Sequence, residues 1–121
     1  MKPARRQRQG FTLLEMMVVI ALIGLVSAIV AVSVVRAYDD ARADTTSNQL
    51  AALQAALKTH YVKKGGYPER LELLVESGVL DEVPRDGWSR PFTYRLESGM
   101  PVIISGGKDG VLGNEDDLVR R

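Results

Sequence analysis

The sequence predicts an α+β fold, in which one long N-terminal helix is followed by a short second helix and a small antiparallel β-sheet. Three observations lead to this prediction. Residues 16–35 contain no charged side chain, and residues 36–64 contain neither proline nor glycine. Two short β-prone runs, residues 92–96 and 102–104, follow near the C-terminus. The apolar half of the long helix is expected in a membrane, and its amphipathic half on the small domain.

The uncharged segment is long enough to cross a membrane. Its twenty residues, 16–35, would span ~30 Å as a helix, which is the thickness of the hydrocarbon layer. Glu15 interrupts an apolar block that begins at Phe11. A carboxylate at that depth costs about 2.5 kcal/mol or more unless it has a partner, so Glu15 is a candidate functional residue. The alternative is an acid at interfacial depth, favoured by the helix dipole.

The net charge of +1 is unevenly distributed along the 121 residues. Four basic residues precede Gly10: Lys2, Arg5, Arg6 and Arg8. From Phe11 onward, twelve basic residues stand against fifteen acidic ones. A basic cluster beside an apolar segment is typical of a topology signal, which keeps that flank in the cytoplasm. The pattern therefore favours a membrane and not a nucleic acid as the partner.

The long helix is expected to continue past the apolar segment as far as residue 64. Apolar side chains recur there at helical spacing, with two flanking residues on the same face: Leu50, Leu53, Leu57 and Tyr61, flanked by Ala56 and His60. Lysines, glycines and a proline at residues 63–68 then end the helix in the usual order.

Smaller elements follow the long helix. Residues 70–77 predict a short amphipathic helix, and residues 79–91 a turn-rich loop in which Trp88 covers the small core. Residues 92–96 and 102–104 are separated by turn-forming residues and predict a β-hairpin. The chain has no cysteine, which excludes disulfides and thiolate chemistry. His60 is the only histidine, and no pairing of nucleophile and base is apparent, so an enzyme is not expected.

Residues 10–15 read Gly-Phe-Thr-Leu-Leu-Glu directly after the basic cluster. This stretch resembles the processing site of class III signal peptides, which occur in type IV pilins and type II secretion pseudopilins. The resemblance implies cleavage between Gly10 and Phe11 by a prepilin peptidase, followed by N-methylation of Phe11. The new amine of Phe11 would be cationic, and Glu15 of a neighbouring subunit could pair with it, which makes both residues assembly determinants.

Four later segments extend the resemblance over nearly the whole chain: Gly66-Tyr67-Pro68, Asp86-Gly87-Trp88, Pro91-Phe92 with Tyr94, and residues 105–110. In this order they resemble the major pseudopilins of type II secretion systems, although Asp-Gly-Trp replaces the more usual Asp-Pro-Trp. The pseudopilin fold implies a leader at residues 1–10 and a transmembrane and assembly helix at residues 11–35. A periplasmic domain would occupy residues 36–121, with residues 36–64 completing the helix and residues 65–121 forming an α/β head.

The acidic loop at residues 105–117 reads Ser-Gly-Gly-Lys-Asp-Gly-Val-Leu-Gly-Asn-Glu-Asp-Asp. Calcium takes six to eight oxygen ligands, and this loop is rich in carboxylates and flexible glycines. Its chemistry alone fits a calcium site and a solvated loop equally well. The resemblance implies Ca²⁺, held by Asp109 and by Asp116 or Asp117. The remaining ligands would come from Ser105, Gly106 and Val111.

The function that the resemblance implies is that of a major pseudopilin, which polymerises into a helical fibre in the periplasm. Its expected partners are further copies of the chain, minor pseudopilins, the inner-membrane assembly platform and the prepilin peptidase. The expected location is the bacterial inner membrane, with a single span and a periplasmic C-terminal domain. The alternative is a type IV pilin or a minor pseudopilin of a motility or DNA-uptake system.

We expect the mature chain to begin at Phe11, because the small residue Gly10 precedes the apolar block and not its end. Mass analysis of the N-terminus of the protein purified from membranes checks this expectation. A mature start at or beyond residue 35 would contradict the class III assignment.

Overall fold

The computed structural model describes residue 1 and residues 9–121, so the predicted basic cluster at residues 2–8 lies outside the described residues. The chain divides into two compact units, Met1–Arg36 and Ala37–Arg121. Two helices and three strands occur in the described residues: α1 (Leu13–Lys64), α2 (Glu72–Glu76), β1 (Thr93–Glu97), β2 (Met100–Ser105) and β3 (Leu118–Arg120). The long helix, the short second helix and the antiparallel sheet are confirmed.

Helix α1 is continuous over 52 residues, as its lack of proline predicts. It ends where the lysine, glycine and proline signals place the break. The N–H of Gly65 donates to the carbonyl of Tyr61 at 2.7 Å, and Gly65 has a φ of 80°. This left-handed residue closes the last turn, because glycine adopts that conformation without steric cost.

The core of the second unit forms between one face of α1, the α2 region and the inner face of the sheet. Its buried side chains are Leu50, Leu53, Ala56, Leu57, Leu71, Leu74, Phe92 and Ile103. The buried face of α1 ends in His60 and not in Tyr61, which is 47% exposed and lies against Tyr67 with ring centroids 4.8 Å apart. His60 is satisfied because its Nδ1 lies 3.0 Å from the carbonyl of Gly66, to which it donates.

The sheet is antiparallel, with strand order β1-β2-β3. Ser98 and Gly99 both have positive φ, at 53° and 81°, so a two-residue turn joins β1 to β2. Ile104 of β2 lies opposite Thr93 of β1 and Val119 of β3. The β3 strand was not predicted, because three residues are too few to show an alternating pattern. Its pairing with β2 places the two ends of the acidic loop side by side.

Tyr94 connects β1 to the segment that follows α1. Its hydroxyl donates to the carbonyl of Pro68 at 2.7 Å. Burial, with a smaller contribution from the charge of Tyr67, raises the pKa of Tyr94 to about 12. The phenol therefore stays protonated, and stays a donor, throughout the neutral range.

The loop before β1 approaches α1 closely at Gly87. The N–H of Gly87 donates to the hydroxyl of Thr46 at 2.8 Å, and this hydroxyl donates to the carbonyl of Arg42, also at 2.8 Å. A Cβ atom at position 87 would lie 2.1 Å from that carbonyl oxygen. Only glycine permits this approach, so the loop is fixed against the helix at this point.

We expect Gly87→Ala to destabilise the second unit by about 1–3 kcal/mol, because the new methyl group must push the loop away from the Arg42 carbonyl. Gly66→Ala is the matched control, since a Cβ there meets nothing within 4 Å. Thermal unfolding followed by the fluorescence of Trp88, the only tryptophan, measures the difference. Equal melting temperatures for the two variants would show that the contact at Gly87 is not a constraint.

Candidate metal loop and assembly segment

The acidic loop leaves β2 at Ser105 and returns to it at Leu118, since these two residues are paired across β2 and β3. The first part of the loop is a tight turn, in which the N–H of Gly110 donates to the carbonyl of Gly106 at 2.9 Å. The sheet thus closes the loop at its base and keeps its carboxylates in one region.

Backbone and side-chain amides of the loop surround its carboxylates. Asp109 accepts from the N–H of Val111 at 2.8 Å and from the side-chain amide of Asn114 at 2.7 Å. The N–H of Asp109 in turn donates to Asp116 at 3.2 Å. These bonds hold Asp109 and Asp116 together on one side of the loop.

Asp117 differs from its neighbours. One of its oxygens, Oδ2, accepts from the N–H of Gly113 at 2.6 Å, whereas Oδ1 is buried and has no hydrogen-bond partner. A buried anionic oxygen without a donor is costly, and a bound cation is one way to satisfy it. Asp117 therefore fits the role of a calcium ligand.

The other predicted ligands are arranged differently. The hydroxyl of Ser105 donates to Asp86 at 2.7 Å, and the carbonyl of Gly106 accepts from Gly110, so both groups have a hydrogen-bond partner within the protein. Val111 is exposed and contributes its N–H to Asp109. Within residues 9–121, no three His, Cys, Asp or Glu side chains form a group that could hold a metal ion. The calcium ligand set stays a prediction.

A cleft of about 350 Å³ lies between α1 and the acidic loop. Its lining is strongly acidic and comprises Asp39, Asp40, Ala43, Trp88, Lys108, Glu115, Asp116, Asp117 and Leu118. Lys108 forms an ion pair with Asp39 across the cleft. Trp88, which was predicted to cover the small core, is half-buried and lines this cleft, and it is not one of the core residues.

Asp86 and Arg90 also belong to this region, although neither was predicted as a site residue. Asp86 is only 5% exposed and accepts from the N–H groups of Trp88 at 3.0 Å and Arg90 at 2.8 Å. An aspartate that bonds to the backbone two residues ahead is the usual signature of an Asx turn. The Asp-Gly sequence at 86–87 is the signal that could have identified it.

The assembly segment begins at the N-terminus of α1. The N–H of Thr12 donates to the Glu15 carboxylate at 2.8 Å, and the N–H of Glu15 donates to the Thr12 hydroxyl at 3.1 Å. This reciprocal pair is a capping box, which satisfies two N–H groups that the helix leaves free. Gly10 and Phe11 precede the helix and are exposed. The Thr12 and Glu15 pair gives the carboxylate a capping role within its own chain.

Beyond Glu15, α1 presents exposed apolar side chains as far as Val35. Among the described residues, α1 is the one helix long and apolar enough to cross a membrane. An apolar surface of this size is stable in lipid or against other apolar helices, but not in water. The first unit therefore has the properties of a membrane anchor.

Two family models match the chain. The prokaryotic N-terminal methylation motif matches residues 5–31, and the type II secretion system protein G family matches residues 33–120. The first match includes Gly10 and Phe11, the predicted processing site, and the second covers the amphipathic half of α1 together with the sheet and the acidic loop.

Curated relatives and a solved structure agree with these matches. The type II secretion system core proteins G of Pseudomonas aeruginosa and Escherichia coli K12 are each 31% identical to this chain. The alignments cover 93% and 95% of the chain and 92% of each relative. The crystal structure of the major pseudopilin from the type 2 secretion system of enterohaemorrhagic E. coli shares the fold, with a TM-score of 0.58 at 24% identity over 67% of this chain and 87% of that one. The chain belongs to the protein G family of type II secretion systems, the family of the major pseudopilins.

Proposed function

We propose that this chain is the major pseudopilin subunit that polymerises into the periplasmic pseudopilus of a type II protein secretion system. The observation that carries this proposal is a processing motif at Gly10 and Phe11 directly before α1, whose apolar half has Glu15 as its single acid and an exposed apolar surface. Such a helix stores the subunit in a membrane and then packs it against its neighbours in a fibre. The family match over residues 33–120 supports the same conclusion.

The capping box explains why one acid serves both states of the subunit. In the single chain, Glu15 is bonded to the N–H of Thr12, so the carboxylate enters the apolar region with one partner. Cleavage after Gly10 creates a cationic amine on Phe11. In the fibre, Glu15 forms an ion pair with the Phe11 amine of the adjacent subunit, because a charge in an apolar environment is stable only when it is paired. N-methylation of Phe11 keeps that amine cationic.

The same proposal assigns the location and the partners. The chain inserts into the inner membrane with its basic flank in the cytoplasm, as positive residues beside an apolar span do. The unit Ala37–Arg121 then occupies the periplasm. A prepilin peptidase processes the chain, and an inner-membrane platform with minor pseudopilins organises its polymerisation.

We expect Glu15→Leu to insert into the membrane but to assemble poorly, because the variant lacks the partner of the neighbouring amine. Glu15→Gln sharpens the test, since glutamine retains the capping box with Thr12 but removes the charge. Both variants should be found in the membrane fraction and should form few fibres when no wild-type subunit is present. Electron microscopy of sheared fibres and membrane fractionation measure the two steps separately.

Thr12→Ala is the control for the loss of the cap alone. It removes the hydroxyl that accepts from Glu15 but leaves the carboxylate in place. Fibres from Glu15→Gln at the wild-type level would show that capping, and not charge pairing, is the role of Glu15.

We also propose that the acidic loop binds Ca²⁺ through the carboxylates of Asp109 and Asp117, with Asp116 as the alternative to Asp117. The unpaired buried oxygen of Asp117 supports this proposal, as does the closure of the loop by β2 and β3. Calcium supplies positive charge that offsets the repulsion among the loop carboxylates. A small unit without disulfides gains most from such a ligand.

Calcium at a hundredfold excess over its Kd should stabilise the second unit by ~2.7 kcal/mol, because the metal binds the folded form only. For a unit of this size, the increase in melting temperature is about 10 °C or more. Melting followed by Trp88 fluorescence should therefore occur at higher temperature in calcium than in EDTA. Magnesium should give a much smaller increase, since it prefers a tight octahedral shell and retains its waters.

Asp109→Ala and Asp117→Ala should each abolish the calcium increment. Glu115→Ala is the matched control in the same loop, and it should retain most of the increment because Glu115 is not among the proposed ligands. Equal melting temperatures in calcium and EDTA would refute the metal site and leave the pseudopilin assignment intact.

A further inference from the structure

The side chain of Arg90 donates two hydrogen bonds to the first turn of the acidic loop. Its Nη1 donates to the carbonyl of Gly107 at 2.9 Å, and its Nη2 donates to the carbonyl of Lys108 at 3.1 Å. These two carbonyls directly precede Asp109. The fork geometry of a guanidinium allows it to bond two adjacent carbonyls at once, which the single ammonium of lysine does less well.

The guanidinium also packs against the backbone of Gly110. A Cβ atom at that position would lie 2.5 Å from Nη1 of Arg90. Gly110 has a φ of 75°, so the turn depends on glycine both for its conformation and for the space that Arg90 occupies. Arg90 thus contacts the backbone at Gly107, Lys108 and Gly110, on both sides of Asp109.

The backbone of Arg90 is itself fixed by a buried carboxylate. The N–H of Arg90 donates to Oδ1 of Asp86 at 2.8 Å, while the N–H of Asp86 donates to the carbonyl of Arg90 at 2.9 Å. The other oxygen of Asp86 accepts from the hydroxyl of Ser105, which is fully buried at the end of β2. Arg90 is therefore anchored to the strand from which the loop starts.

The same turn is attached to α1 through Gly87. Because Gly87 donates to Thr46, the turn is fixed both to the helix and to β2. The side chain of Arg90 then extends from this fixed turn to the loop. Hydrogen bonds and the backbone of residues 86–90 thus connect Thr46 to the carbonyl of Lys108, which precedes Asp109.

We propose that Arg90 is a positioning residue for the acidic loop: it fixes the carbonyls of Gly107 and Lys108 so that Asp109 is held in place before a metal binds. This inference rests on the proposed calcium site for its consequence, which is tighter calcium binding. Its direct effect on the loop exists without metal. Arg90 itself contacts no metal ligand atom and acts through the backbone.

The test compares Arg90→Lys with Arg85→Lys in the full chain in detergent. Arg85 lies beside the same turn, and its side chain donates to the carbonyl of Ser89 and not to a residue of the acidic loop. We expect Arg90→Lys to weaken calcium binding by about tenfold in isothermal titration with calcium chloride, since two charge-assisted hydrogen bonds are lost or weakened. Arg85→Lys should bind calcium as the wild type does.

Amide hydrogen exchange in EDTA is the second measurement, and it requires no metal. In Arg90→Lys, the loop amides of Asp109, Val111 and Gly113 should exchange faster, while the amides of the β1 and β2 hairpin remain at the wild-type rate. A role in general stability alone would increase exchange in both regions. This measurement therefore separates positioning from overall destabilisation.

Gly110→Ala provides a second route to the same effect if Arg90→Lys folds poorly. Its methyl group displaces the guanidinium, whereas Gly113→Ala introduces a side chain at a similar positive φ with nothing within 4 Å. We expect the loop amides to exchange faster in Gly110→Ala than in Gly113→Ala. The difference isolates the contact with Arg90 from the strain of the backbone.

The outcomes distinguish the inference from the proposed function. If Arg90→Lys binds calcium with the affinity of the wild type, the positioning role is overturned but the metal site is not. If the wild type binds no calcium, the metal site fails, and exchange in EDTA decides about Arg90. Loop exchange in Arg90→Lys equal to that of the wild type overturns the inference.

Discussion

The hydrogen bonds of the buried Asp86 carboxylate are the interactions on which the turn at residues 86–90 and the start of the acidic loop depend. The Asp86 side chain is 5% exposed and accepts two backbone N–H groups and the Ser105 hydroxyl. A buried charge is tolerated only when its oxygens are bonded, so the turn and the end of β2 cannot move independently. Because the acidic loop starts at Ser105, the same carboxylate also determines where that loop begins.

The two units differ in whether the protein itself covers their apolar side chains. In the second unit, apolar side chains are covered by α1, the α2 region and the sheet, and the buried polar groups have partners in most cases. In the first unit, apolar side chains from Leu13 to Val35 are exposed, and Glu15 is satisfied by the Thr12 N–H. The buried core of the second unit is therefore stable in water, whereas the apolar side chains of the first unit need lipid or other apolar helices to cover them.

Residues with strong periodicity or strong local signals could be predicted from the sequence. The long helix, its end at Gly65, the hairpin and the processing motif all follow from patterns within a few consecutive residues. The β3 strand and the partners of Asp86 could not be predicted, because they depend on pairing between residues far apart in the chain. The position of Trp88 in the cleft could not be predicted either, since it depends on how the loop packs against α1.

Proline could not replace Gly87 in this structure. Proline has no N–H and could not donate to Thr46, and its ring carbons would have to occupy the space filled by the Arg42 carbonyl. Thr46 is fully buried, so its hydroxyl needs both the donor and the acceptor that it has here. Gly87 and Thr46 therefore depend on each other. The glycine permits the close approach, and the Thr46 hydroxyl accepts the hydrogen bond that joins the helix to the turn containing Arg90.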